Sequence, residues 1–196
     1  YFSVASLTDE RMKARTAKHA QRSGLGEDEY IALLGRIWDR RANVPDTITR
    51  VAGMARDAGA PMLSHYDTKA ETRAWFRDIG ATVAEFPMVR GAAGAAKVSG
   101  DRVFLGAPNA ARGGSHIGSL AAGDMVEAEL CDALASDYFY PSMLAAVARL
   151  DAEKRADRLS LWSLVSGGPA RAMNLADRGR IEVGARADLV LVDWPD

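Results

Sequence analysis

A glycine-rich segment at residues 103–119, VFLGAPNAARGGSHIGS, combines residue types that suit an anionic ligand. Gly113 and Gly114 permit a tight turn that exposes backbone N–H groups, and Arg112 offers a planar guanidinium that can contact two phosphate oxygens. His116 can donate a hydrogen bond or a proton near neutral pH. The segment has neither the Gly-Lys-Ser/Thr ending of a Walker loop nor the G-x-G-x-x-G spacing of a dinucleotide site. From these residues alone, a glycine-rich surface turn is the alternative interpretation.

Polar residues also follow three short apolar runs of strand character. His65 follows PML, Asn109 follows VFLGAP, and Asp137 follows ALAS. Because α/β sheets and barrels place their chemistry at the carboxyl ends of parallel strands, we expect these three residues around one site. Each also has a structural interpretation. His65 can be a hydrogen-bonded structural histidine, and Asp137 can be the N-cap of a helix that begins near Pro141.

Four further charged residues lie near the predicted strand ends. Asp67 is expected to cap the helix that follows it at residues 68–79. Glu85, at the end of VAEF, either lines the site or forms an ion pair, and the sequence does not decide between the two. Lys97 and Arg102 flank a predicted strand, and we interpret them as solvated charges.

The elements that must position these residues follow a βα repeat. The predicted strands lie in APMLSHYD, ATVAEFP, RVFLGAPN and DALASDYFYP, and the predicted helices lie in TKAETRAWFRDIG, AAGDMVEAELC and residues 142–154. This alternation predicts a parallel sheet with helices packed on it. The pattern of residues 7–41 predicts two helices separated near SGLG. The stretch GAAGAAKVSG predicts a short helix or a loop, and GRIEVGARADLVLVDW predicts a turn followed by a strand.

The composition is that of an ordinary globular protein. With 196 residues, 48% of them hydrophobic, the chain can bury one substantial core. The 25 Lys and Arg nearly cancel the 26 Asp and Glu, so neither nucleic acid nor an anionic membrane is an expected partner. The single cysteine, Cys131, cannot form an intramolecular disulfide and favours a cytoplasmic setting. The chain does not start with methionine, which suggests a fragment, and its first residues, YFSVASLTDERMK, lack the pattern of a signal peptide.

The carboxyl-terminal sequence GRIEVGARADLVLVD resembles the signature with which amidohydrolase-superfamily chains leave a (β/α)8 barrel and return to a small β domain. LSHYD and ASDYFYPS are compatible with that superfamily. Together with AEFP and GAPNAARGGSHIG, the ordered set over residues 63–193 is most similar to the PhnM-type amidohydrolases of the carbon–phosphorus lyase pathway.

That resemblance implies an α/β fold that forms the second half of a metal-dependent TIM barrel. Residues 1–176 would belong to the barrel and residues 177–196 to the small β domain. The family's His-x-His pair after the first strand, its bridging group after the fourth and its histidine after the fifth are not identifiable here. We therefore expect the missing amino-terminal part of the same enzyme as a partner, with most metal ligands outside this chain. A homo-oligomer is compatible with the sequence.

The implied reaction is the hydrolysis of α-D-ribose 1-methylphosphonate 5-triphosphate to the 5-phosphate and pyrophosphate. One or two divalent ions, with zinc expected, would be bound by His65 after the sixth barrel strand and by Asp137 after the eighth. Asp137 would also take the proton of the attacking water. The residues expected to bind the phosphorylated substrate are Asn109, Arg112, Gly113, Gly114 and His116.

Two other functions are compatible with the same residues. One is an amidohydrolase that cleaves a C–N bond in a cyclic amide or an N-acyl sugar, because a fold does not fix a reaction. The other is a non-catalytic module that binds a phosphorylated ligand and has lost a complete metal site.

Overall fold

The computed structural model describes residues 10–114 and 120–194. The chain divides into two compact units, Tyr1–Val51 and Ala52–Asp196. The elements that begin in the first unit are α1 (Glu10–Ser23), α2 (Glu27–Asp39), a 3₁₀ turn (Arg41–Asn43) and α3 (Val44–Asp57), which continues into the second. The predicted break between the first two helices is confirmed: the amide N–H of Leu25 bonds the carbonyl of Ala20 at 3.1 Å and closes α1.

The second unit contains the βα repeat that the sequence predicts. Its elements are β1 (Leu63–His65), α4 (Ala70–Asp78), β2 (Val83–Glu85), α5 (Arg90–Val98), β3 (Arg102–Gly106), α6 (Ala107–Arg112), α7 (Ala122–Glu127), β4 (Ala133–Ala135), α8 (Ser142–Ala152), α9 (Arg158–Ser163) and α10 (Gly167–Ala172). The strands form a parallel sheet in the order β1-β2-β3-β4. The predicted α/β class is therefore confirmed, and all four carboxyl ends lie at one edge of the sheet.

The two faces of the sheet have different environments. On one face, alternate strand residues such as Val103, Leu105 and Leu134 are buried against the helices in the larger part of the core. On the other face, Val83, Phe104 and Ala133 form a smaller cluster. Since side chains alternate along a strand, the residues at the ends of β1 and β2 point to the same side as this smaller cluster.

A buried charge cluster ties β1 to α4, and it overturns one sequence expectation. Asp67 does not cap α4, whose N-cap is Lys69. Instead Asp67 is 1% exposed, accepts a hydrogen bond from the Ser64 hydroxyl at 2.5 Å, and lies 3.4 Å from the guanidinium of Arg73. A buried guanidinium needs a carboxylate partner, and this requirement takes Asp67 away from the helix terminus.

Lys97 and Arg102 also differ from the expectation of solvated charges. Both form ion pairs with Asp132, at 2.7 and 3.3 Å. The same carboxylate accepts the backbone N–H of Val103 at 2.9 Å. These contacts link α5 and β3 to the residue that precedes β4.

Two segments differ from the predicted elements. Residues 107–112 form helix α6 rather than a loop, with Pro108 in its first turn, where a missing N–H costs nothing. The predicted strand in RADLVLVDW is not formed among the described residues, and Leu189, Val190 and Leu191 are 65%, 81% and 101% exposed. The reason is that a strand needs a neighbour for its backbone hydrogen bonds, and no described strand pairs with this one. The assignment of residues 177–196 to a separate small domain stays a prediction.

Within the described ranges, no helix combines the length and apolar character that a membrane crossing requires.

Candidate active site

His65 and Glu85 form the best-defined polar pair at the carboxyl edge of the sheet. They end β1 and β2, they are direct partners in the parallel ladder, and the imidazole Nδ1 lies 2.8 Å from Glu85 Oε2. A carboxylate accepts, so Nδ1 donates and carries the proton. The Nε2 nitrogen then keeps its lone pair, which is the form of histidine that binds a metal ion.

Aromatic rings hold the imidazole from two sides. The ring centroid of Tyr66 lies 3.8 Å from that of His65, and the Phe86 centroid lies 5.6 Å away. Tyr66 and Phe86, each the first residue after its strand, have φ angles of 60° and 52°. Such left-handed conformations are uncommon for bulky residues and persist where the surrounding structure imposes them. Here the Tyr66 N–H bonds the Glu85 carbonyl at 3.1 Å, which continues the ladder past the strand end.

Asp137 lies at the same edge, two residues after β4. It is exposed and has a φ of 51°, a third left-handed residue after a strand end. Its alternative interpretation as a helix cap is wrong, because α8 begins after Pro141. Since β1 and β4 are the outer strands of the described sheet, His65 and Asp137 lie at opposite ends of one row of strand termini.

The structure revises the strand numbers that the resemblance assigned to these two residues. The strands β1 to β4 are consecutive neighbours, so His65 lies three strands before Asp137. If Asp137 follows the eighth barrel strand, His65 follows the fifth and Glu85 the sixth. The earlier assignment of His65 to the sixth strand is therefore wrong, because it leaves room for only one strand between the two residues.

Arg112 is brought to the end of β4 by a contact that the sequence did not reveal. Its guanidinium donates to the hydroxyl of Tyr138 at 2.8 Å, and Tyr138 directly follows Asp137. Helix α6 thereby brings a positive charge into contact with the residue that directly follows the candidate catalytic aspartate. No sequence signal singles out this tyrosine, because the contact spans 26 residues.

Asn109 anchors the segment that returns from the glycine-rich region. Its amide nitrogen donates to the Leu120 carbonyl at 2.8 Å, and its amide oxygen accepts the N–H of Ala122 at 3.0 Å. Both ends of the side-chain amide are thus bonded to backbone, which ties Leu120 and Ala122 to α6. The expected contact of Asn109 with substrate stays a prediction.

Gly113 ends α6 with a φ of 78°. A Cβ at this position would lie 2.6 Å from Cζ of Arg149, so the glycine lets a second guanidinium approach the same turn. Arg149 lies on α8 and is bonded to Glu153 at 2.6 Å, an i,i+4 pair that looks ordinary in the sequence. Gly114 follows directly and donates to the Asn109 carbonyl at 3.0 Å. The expected proton donor His116 lies outside the described residues.

The donor types at this edge fit a divalent metal such as zinc, which binds imidazole nitrogen and carboxylate oxygen. Within residues 10–114 and 120–194, however, no three His, Cys, Asp or Glu side chains lie close enough together to hold an ion.

A parallel βα sheet with histidine and carboxylates at its carboxyl edge is compatible with a hydrolase built on a barrel scaffold. Residues 37–196 match the model of the amidohydrolase family, and the chain belongs to that family. Along its whole length the chain is also 39% identical, over 199 residues, to the alpha-D-ribose 1-methylphosphonate 5-triphosphate diphosphatase of Escherichia coli (strain K12). The match covers 48% of that protein, so the chain spans about half the length of this relative. No solved structure matches the chain.

The family resemblance inferred from the sequence is thus confirmed, including the similarity to this diphosphatase.

Proposed function

We propose that this chain is part of a metal-dependent hydrolase that cleaves α-D-ribose 1-methylphosphonate 5-triphosphate to the 5-phosphate and pyrophosphate. The observation that carries the proposal is the row of strand ends, with the His65–Glu85 pair at one side and Asp137 at the other, where the next residue, Tyr138, binds Arg112. The 39% identity to the diphosphatase supports the choice of reaction.

In this proposal the four strands are the last four of a (β/α)8 barrel, and residues 177–196 lead into a small β domain. The remaining half of the barrel comes from the amino-terminal part of the same enzyme, in a cytoplasmic setting. That part supplies the further metal ligands, since the described residues hold no complete set.

A bound divalent ion, with zinc expected, would lower the pKa of a coordinated water from about 15.7 to about 7. His65 would hold the ion through Nε2, and Asp137 through its carboxylate. Asp137 would accept a proton from the attacking water, whose oxygen would bond to the α phosphorus. The bond from that phosphorus to the oxygen that bridges it to the β phosphorus would break, and pyrophosphate would leave.

Arg112 orients the phosphate groups in this proposal. Its hydrogen bond to the hydroxyl of Tyr138 ties the guanidinium to the segment after β4, and a guanidinium can contact two phosphate oxygens at once. The backbone of Gly113 and Gly114 permits a close approach of the substrate, and His116 donates to the leaving oxygen.

The test replaces Asp137 with Asn in the full-length enzyme and measures pyrophosphate release from the triphosphate. We expect turnover to be abolished while the melting temperature stays close to that of the wild type, since Asp137 is exposed. Retained turnover rejects the assigned role of Asp137.

A substrate panel separates the alternative functions. Cleavage of a cyclic amide or an N-acyl sugar in preference to the triphosphate would establish C–N hydrolysis by the same site. Binding of the triphosphate without bound metal or turnover would establish the non-catalytic module.

A further inference from the structure

We propose a second anion-binding site at the opposite, amino-terminal edge of the sheet, in a cavity of about 590 Å³. Its walls carry four arginines, Arg102, Arg171, Arg178 and Arg180, and no acidic residue lines it. The ligand class that this lining fits is a small molecule with a diphosphate or triphosphate group.

The position of the cavity separates it from the candidate active site. Arg102 is the first residue of β3, whereas His65, Glu85 and Asp137 lie at or beyond carboxyl ends of strands. The other lining residues come from α10 and the segment that follows it, up to Arg180. The proposal therefore does not depend on the proposed function.

Two of the arginines are balanced by neighbouring carboxylates. Arg178 pairs with Asp177 at 2.9 Å, and Arg180 pairs with Glu182. These pairs are on the surface, with arginine side chains 34% and 50% exposed, and exposed pairs contribute little energy. Their guanidinium groups can turn towards a ligand at small cost.

The other two arginines leave positive charge in excess. Arg102 shares the single carboxylate of Asp132 with Lys97, so two cations face one anion. Arg171 donates to the neutral hydroxyl of Ser163 at 3.0 Å and has no carboxylate partner in the part of the chain that the structure describes. The charge of Arg171, which no described carboxylate balances, and the shared neutralisation of Arg102 leave an excess of positive charge that attracts a polyanion.

Two glycines allow close packing in the residues that line the cavity. A Cβ at Gly167 would lie 2.8 Å from Nη1 of Arg171, so the missing side chain lets the guanidinium lie over the start of α10. Gly179 has a φ of 81°, and a Cβ there would lie 2.6 Å from Cβ of Ala170. The segment that carries Arg178 and Arg180 can therefore pack directly against α10.

The cavity volume lies within the range of about 300–1,000 Å³ that is typical of small-molecule sites. Arginine is the side chain best suited to phosphate, because its fork of N–H donors matches two oxygens at once. A diphosphate presents enough oxygens for contacts with more than one of the four guanidinium groups.

The experiment titrates the protein with inorganic pyrophosphate in the presence of EDTA and follows the amide NMR signals of Gly167 and Gly179. We expect saturable shifts of both signals that weaken as salt is added. Arg171→Gln should weaken the apparent affinity about tenfold, the order expected from one hydrogen bond to a charged group. Arg102→Gln should act in the same direction from the opposite wall.

Two controls make the result specific. Arg158→Gln removes an exposed arginine that pairs with Asp151 at 3.1 Å outside the cavity, and it should leave the affinity unchanged. Arg112→Gln should also leave these glycine shifts unchanged, because it lies at the other edge of the sheet. Should Arg171→Gln fail to fold, Arg102→Gln decides the question. Absent glycine shifts, or wild-type affinity in a folded variant of either arginine, would overturn the proposal.

Discussion

The imidazole Nδ1 of His65 lies 2.8 Å from Oε2 of Glu85, its direct partner across the parallel ladder. The two residues are 20 positions apart, and only the register of β1 against β2 brings them together. Because the carboxylate fixes which nitrogen carries the proton, Glu85 prepares Nε2 of His65 as an acceptor before any ligand arrives. This relationship makes Glu85 a positioning residue for the proposed metal site.

Replacing Glu85 with Gln should therefore weaken metal binding by the full-length protein about 10- to 100-fold, the usual effect of removing a carboxylate behind a metal-binding histidine. Competition with a chromophoric chelator measures the affinity directly and independently of turnover. Glu71→Gln, which changes an exposed glutamate in the first turn of α4, is the matched control. Unchanged affinity in the Glu85 variant would show that the pair has no role in metal binding.

Asn109 gives a prediction about the glycine-rich segment. Asn109→Leu removes both bonds from its amide to Leu120 and Ala122, so the amide proton of Ala122 should exchange with deuterium faster than in the wild type. Asn109→Asp keeps an oxygen that accepts the Ala122 N–H, and its exchange rate there should stay near the wild-type value. Equal protection of Ala122 in all three proteins would show that another contact holds this segment.

The local elements of this chain were predictable, because periodicity and glycine positions specify them within short windows. Helix α4 ends where the sequence places a glycine: Gly80 has a φ of 104° and its N–H bonds the Arg77 carbonyl at 2.8 Å. The alternation of strands and helices likewise gave the parallel sheet, and with it the edge at which His65 and Asp137 lie.

The partners of individual side chains were not predictable, because they depend on contacts between distant elements. The residues around Tyr138 in the sequence give no indication of its hydrogen bond to Arg112. The sequence around Arg149 indicates only an i,i+4 pair on a helix, not its approach to Gly113. For Asp67, the local sequence pattern gave a wrong prediction. It predicted a helix cap, whereas the need of the buried Arg73 for a carboxylate partner decides where Asp67 lies.

That buried arginine should be among the most sensitive positions for stability. Arg73 is 1% exposed, lies 3.4 Å from carboxylates of both Asp67 and Asp101, and donates to the Ala81 carbonyl. Arg73→Ala leaves two buried carboxylates without this partner, so we expect a loss of about 3–5 kcal/mol in the free energy of unfolding by denaturant. Arg77→Ala removes a partner of Asp101 that is 41% exposed, and Asp101 keeps Arg73, so the loss should be smaller than for Arg73→Ala. Similar losses in the two variants would contradict the importance of burial.

The single cysteine gives a prediction about pH. Burial, together with the neighbouring carboxylate of Asp132, raises the pKa of the Cys131 thiol to about 12. In the unfolded chain the thiol ionises near its ordinary pKa of about 8.5. Between these two pKa values the unfolded state binds fewer protons than the folded state. The contribution of the thiol to the free energy of unfolding should therefore be fully present below this pH window and should decrease as the pH rises through it.

Denaturant unfolding at a series of alkaline pH values measures this contribution as the difference between the wild type and Cys131→Ala. The difference in unfolding free energy should shrink with increasing pH above about 8.5, because only the wild type has a thiol to ionise. Alkylation by iodoacetamide at pH 8 should also be slow in the folded protein and fast in denaturant, since the thiolate is the reactive form. A pH-independent difference together with rapid alkylation of the folded protein would show that the thiol ionises normally at its position before β4.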